Sequence, residues 1–95
     1  MLKVGPLDFS VELKTNIYDL DKRALYGTVL HSEQRILLDA EQPPQLMQSS
    51  FLHEVLHAID DMVQAELTER QVSVLAPALL MVLRDNGLLK EDDPE

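Results

Sequence analysis

The sequence predicts a single α+β domain, and three observations carry that prediction. The first forty residues hold short runs rich in β-branched and aromatic side chains, separated by turn residues. From Gln45 onward the apolar residues recur at helical spacing instead. The junction is Pro43-Pro44, a pair that ends a sheet segment and can open a helix.

In chain order, Lys3 to Val11 contains β-favouring residues interrupted by Gly5-Pro6, which predicts one short, irregular strand. Asn16 to Ala24 shows no clean period and reads as a loop or a turn of helix. Leu25 to His31 and Arg35 to Asp39 are two apolar runs joined by Ser32-Glu33-Gln34, the pattern of a β-hairpin. Gly27, inside the first run, marks a bulge or a close backbone approach.

The first helix follows, with Leu52, Val55, Leu56, Ile59, Met62 and Val63 as its expected core stripe. Thr68 to Gln71 fits a capping box, Thr68 at the N-cap and Gln71 three positions on, so a second helix starts there. Its expected stripe is Val72, Leu75, Ala76, Leu79, Val82 and Leu83, and Asn86-Gly87 ends it. Pro77 lies inside this pattern and should bend the helix or free one carbonyl. The short connection folds the second helix back antiparallel to the first.

Bulk numbers narrow the function. Ninety-five residues make one domain, expected over residues 1–90, with residues 91–95 an acidic, disordered tail. There is no cysteine, which excludes disulfides and thiolate metal sites. A net charge of −9 argues against nucleic acid as a direct ligand. No apolar run approaches the roughly 20 residues of a membrane span. The N-terminus lacks a signal-peptide core. A cytoplasmic protein is expected.

The chemistry concentrates at residues 53–57, His-Glu-Val-Leu-His. On a helix, residues four apart share a face, so His53 and His57 can aim two imidazole nitrogens at one point. That convergence is what a tetrahedral zinc site requires. Glu54 projects beside the pair, where a carboxylate can take a proton from a zinc-activated water. This is the H-E-x-x-H pattern of zinc peptidases. Both His fall at the edge of the core stripe, on the wall of a cleft.

A catalytic zinc needs a third protein ligand. The acidic candidates after His57 are Asp60, Asp61, Glu66 and Glu69. Glu69 is preferred, because it stands at the margin of the second helix's apolar face, where a carboxylate needs a partner. Glu66, in the connecting segment, is the runner-up. Asp61, four residues after His57, could ligate or orient an imidazole. Asp60 reads as helix surface. His31 reads as a loop residue or a substrate contact, and Tyr26 as packing.

The run Leu25 to His31, the turn, Arg35 to Asp39 and Phe51 to Ile59, with Leu67 to Ala76 downstream, resembles the core of small ImmA/IrrE-type metallopeptidases of phages and bacteria. The resemblance covers roughly Leu25 to Asn86. It implies a zincin-like fold, with a hairpin strand beside the active helix offering an edge to an extended peptide. It also implies zinc ligands at His53, His57 and Glu69, and a general base at Glu54. The interval from His57 to Glu69 is short for such enzymes. The expected function is therefore a zinc-dependent peptidase acting on a peptide or protein substrate. The alternative is a zinc-binding interaction module without catalysis.

Overall fold

A computed structural model describes residues 1–88 of the chain. The acidic tail expected over residues 91–95 lies outside the described residues. The fold is α+β: a four-stranded mixed sheet followed by two helices.

The N-terminal segment is two strands, not one irregular strand. β1 (Leu2–Val4) and β2 (Leu7–Lys14) pair antiparallel, with Val4 opposite Leu7. Gly5-Pro6 makes the turn between them, and Gly5 has φ +58°, a conformation that favours glycine. A side chain at position 5 would also collide with the sulfur of Met62. The interruption that suggested irregularity is therefore a hairpin tip. Residues 15–26 form a loop with no turn of helix. Asp19 Oδ1 accepts hydrogen bonds from the backbone N–H groups of Asp21 and Arg23, both at 2.9 Å, and Tyr18 bridges to Ala24.

The expected hairpin is present: β3 (Gly27–Leu30) and β4 (Arg35–Asp39) pair antiparallel around a single 3-10 turn at His31–Glu33. The sheet order is β1-β2-β4-β3, with β2 parallel to β4. This order makes β3 an edge strand. Asp39 N–H donates to the Tyr26 carbonyl at 2.8 Å. Bonded pairs alternate in an antiparallel ladder, so Thr28 and Leu30 also bond toward β4, and Gly27 and Val29 present their backbone groups outward.

Helix α1 (Pro44–Val63) lies over one face of this sheet. Pro44 opens it at a position whose N–H has no helical partner in any case. The core is Val4, Phe9, Ile36, Leu38 and Ala58, with Met47, Phe51, Val55 and Met62 packed around it. The deepest positions of α1 are Ser50, Glu54 and Ala58, one row displaced from the expected stripe. Ile59 and Val63 are exposed instead. The displacement has a steric cause. Gly27 has no side chain, so α1 comes close to β3 with Glu54 above the glycine.

Helix α2 (Glu69–Asp85) runs back along α1. Its start is the expected capping box: Thr68 Oγ1 accepts from Gln71 N–H at 3.0 Å, and Gln71 Oε1 accepts from Thr68 N–H at 2.8 Å. Gly87 (φ +66°) closes it, with Leu88 N–H donating to the Leu83 carbonyl. Its buried row is Val72, Ala76 and Leu80. Leu75, Leu79 and Val82 of the expected stripe are exposed, because α2 packs chiefly on α1 and not on the sheet. One contact row then suffices.

Candidate metal centre

Three side chains from the two helices meet at one point. His53 Nε2 and His57 Nε2 are 3.2 Å apart. Glu69 Oε2 lies 2.9 Å from the first and Glu69 Oε1 lies 2.9 Å from the second. The i, i+4 spacing on α1 sets the two imidazoles one turn apart, and the antiparallel return of α2 delivers Glu69 to them. A hydrogen bond from Arg84 Nη2 to Gln48 Oε1 at 2.6 Å ties the opposite ends of the helices.

The connection between the helices makes this return possible. Gln64 and Glu66 take left-handed conformations, with φ +55° and +60°. Asp60 Oδ1 accepts the Leu67 N–H at 3.1 Å. Asp60 is thus a loop fastener and not plain helix surface. Glu66 is spent on the turn and stands apart from the cluster. Asp61 is also apart from it: its Oδ2 lies 3.6 Å from His31 Nδ1, so it partners His31 and not His57. Among the described residues, His53, His57 and Glu69 are the ligand-type side chains that converge, one donor atom of each lying within 4.8 Å of the others.

The donor set fits a divalent cation. A tetrahedral site with metal–nitrogen bonds of about 2.0–2.1 Å places its donor atoms about 3.3 Å apart. The imidazole nitrogens are 3.2 Å apart and each is 2.9 Å from its own Glu69 oxygen, near that edge when both carboxylate oxygens face the cation. Three lone-pair donors this close repel one another unless protons or a cation sit between them. Two imidazoles and a carboxylate, with no thiolate, are donors that divalent metal ions accept.

Glu54 is 7 % exposed and sits between α1 and β3. Burial, with a smaller contribution from the charge of Glu69, pushes its carboxyl up to about 7. A Cβ on Gly27 would stand 3.2 Å from Glu54 Cγ and 3.1 Å from the Leu37 carbonyl oxygen. The close approach anticipated at this glycine is therefore the floor beneath the carboxylate.

These groups line one open cleft of about 580 Å³ between α1, α2 and β3. That size falls within the range of small-ligand sites. His31 lies on its wall, as does Tyr26, whose carbonyl accepts from Gln42 Nε2 at 3.0 Å. Gln42 in turn accepts from buried Ser50 Oγ at 2.7 Å, fastening the start of β3 to α1. Sequence reasoning missed this pair, since no local pattern joins positions 42 and 50. It also missed Ser73, whose Oγ donates to Glu69 Oε2 at 3.2 Å. The i, i+4 spacing of Ser73 from Glu69 was the available signal.

Among the described residues, no helix is long and apolar enough to cross a membrane. Compared with known proteins, the chain matches no family model, and no curated protein or solved structure is significantly similar to it.

Proposed function

We propose that the chain is a minimal zinc-dependent peptidase of the His-Glu-x-x-His type, resembling the ImmA/IrrE metallopeptidases. The observation that carries this reading is the convergence of His53, His57 and Glu69 beside a buried carboxyl, all in one open cleft. His53, His57 and Glu69 would hold the cation. When bound, zinc supplies a Lewis acid that makes water more acidic and polarises a carbonyl oxygen.

The protein's own groups do the rest. Glu54 accepts the proton of the attacking water and passes it to the leaving amine. Its burial raises the carboxyl above the ordinary carboxylate range, which makes it a stronger base than a solvated carboxylate. The outward N–H and C=O groups of Gly27 and Val29 offer an extended peptide a strand to pair with. A peptide placed there runs along the cleft wall facing Glu54.

Glu54→Gln tests the reading. Zinc content, measured by metal analysis after gel filtration, is expected to stay near that of the wild type. Cleavage of a mixed peptide library, followed by mass spectrometry, is expected to drop by about 10²–10⁴-fold. His57→Ala is expected to lose zinc. Retained cleavage in the Gln variant would remove Glu54 from the base role. Zinc binding without cleavage by the wild type would favour a non-catalytic metal module.

A further inference from the structure

We propose that Ser73 is a positioning residue that sets the orientation of Glu69 as a metal ligand. The proposal rests on the reading of His53, His57 and Glu69 as a cation site.

The three ligands are held unequally. His53 and His57 stand on α1 with side chains 22 % and 26 % exposed. Glu69 is the first residue of α2 and 67 % exposed. Its side chain is flexible and has solvent on most sides, so it is the ligand with the most freedom to lose on binding. An unrestrained carboxylate would spend much of its time away from the two imidazoles.

Ser73 removes part of that freedom. A helical serine hydroxyl commonly bonds back to the carbonyl four residues earlier, which here is that of Glu69. Ser73 Oγ instead donates to the Glu69 side chain, at Oε2. The same carboxylate has its Oε1 against His57. The hydroxyl thus tethers the carboxylate while both of its oxygens stay 2.9 Å from an imidazole, Oε2 from His53 and Oε1 from His57. Hydrogen bonds to metal-ligating carboxylates orient them and tune their affinity in this way.

The row continues along α2. Glu69, Ser73 and Pro77, each four residues apart, all line the cleft. Pro77 has no N–H, so the Ser73 carbonyl loses its helical donor.

The test measures zinc affinity by competition against a chromophoric chelator, using the full chain with Ser73→Ala, Ser73→Thr and Ser73→Val. Ala and Val are expected to weaken zinc binding by about tenfold. Thr, which keeps the hydroxyl, is expected to stay within about threefold of the wild type. Thr and Val have nearly the same shape, so that pair separates the hydrogen bond from packing. Metal-free melting temperatures of Ala and wild type are expected to coincide, as a purely structural role would not allow. Wild-type affinity in Ser73→Ala overturns the proposal while leaving the metal site standing. A wild-type chain that binds no zinc overturns both, whereas zinc binding without cleavage touches only the peptidase reading.

Discussion

At the scale of single residues, Glu54 has the largest consequences. Its carboxyl ionises near 7 in the folded protein and near 4.5 when free of the fold. The folded value is the higher one, so the native state holds the proton more tightly. The stability this represents is fully present below about pH 4.5 and is lost as pH rises through 7. The loss amounts to about 3 kcal/mol at most. Metal-free Glu54→Gln, which never ionises, escapes that loss. Its melting temperature is expected to exceed the wild type's by a margin that widens from pH 4.5 to 7.5. Parallel pH profiles would show that the carboxyl is not held protonated by burial.

Gly27 acts at the same scale. A methyl group there meets the Leu37 carbonyl and Glu54 at 3.1–3.2 Å, and the backbone oxygen has little room to yield. Overpacking costs about 1–3 kcal/mol, and the stiffer unfolded chain returns about 0.4–1 kcal/mol. Gly27→Ala is expected to lose about 1 kcal/mol in urea titration. On the proposed reading, cleavage should suffer more than zinc affinity, because the displaced group would be the base and not a ligand. An Ala variant with wild-type stability would mean that α1 can retreat from β3 without strain.

At the scale of elements, the two helices show what periodicity can and cannot reveal. The His53, Glu54, His57 pattern was legible because it is local: residues four apart on one helix share a face. The capping box at Thr68 and the glycine stop at Gly87 were legible for the same reason. The depth of each face was not. It depends on what lies opposite, and a glycine on β3 drew Glu54 inward while solvent reached Ile59 and Val63. Choosing Glu69 over Asp61 and Glu66 likewise hinged on how the connecting turn folds.

Pro77 also belongs to this scale. An interior proline costs a helix about 3 kcal/mol through its ring clash and lost hydrogen bond. Pro77 is exposed and outside the buried row, so no packing is lost when it is replaced. Pro77→Ala is expected to raise the melting temperature, with a gain of about 1–3 kcal/mol. A neutral or destabilising result would mean that the helix has adapted to the proline and gains nothing from a restored N–H.

At the scale of the whole molecule, the sheet order was the least legible feature. The β3–β4 hairpin is a local event and could be read from its two apolar runs. The parallel pairing of β2 with β4 joins Ser10 to Arg35 and Lys14 to Asp39. Nothing near either strand in the sequence names the other. That pairing nevertheless places β3 at the rim, and so decides which wall of the cleft has unpaired backbone.

The attachment of α2 has a dynamic consequence. This helix rests chiefly on α1, through a single row of Val72, Ala76 and Leu80. It also carries Glu69, the one member of the candidate cation site that α1 does not supply. On the proposed reading, a cation shared between the helices would clasp α2 to α1. Amide hydrogens of α2 should exchange with solvent deuterium well before those of β4 in the stripped protein. Saturating zinc should slow them selectively, by about a hundredfold at a hundred times the dissociation constant. Equal slowing throughout the chain would mean that α2 opens only when everything else does.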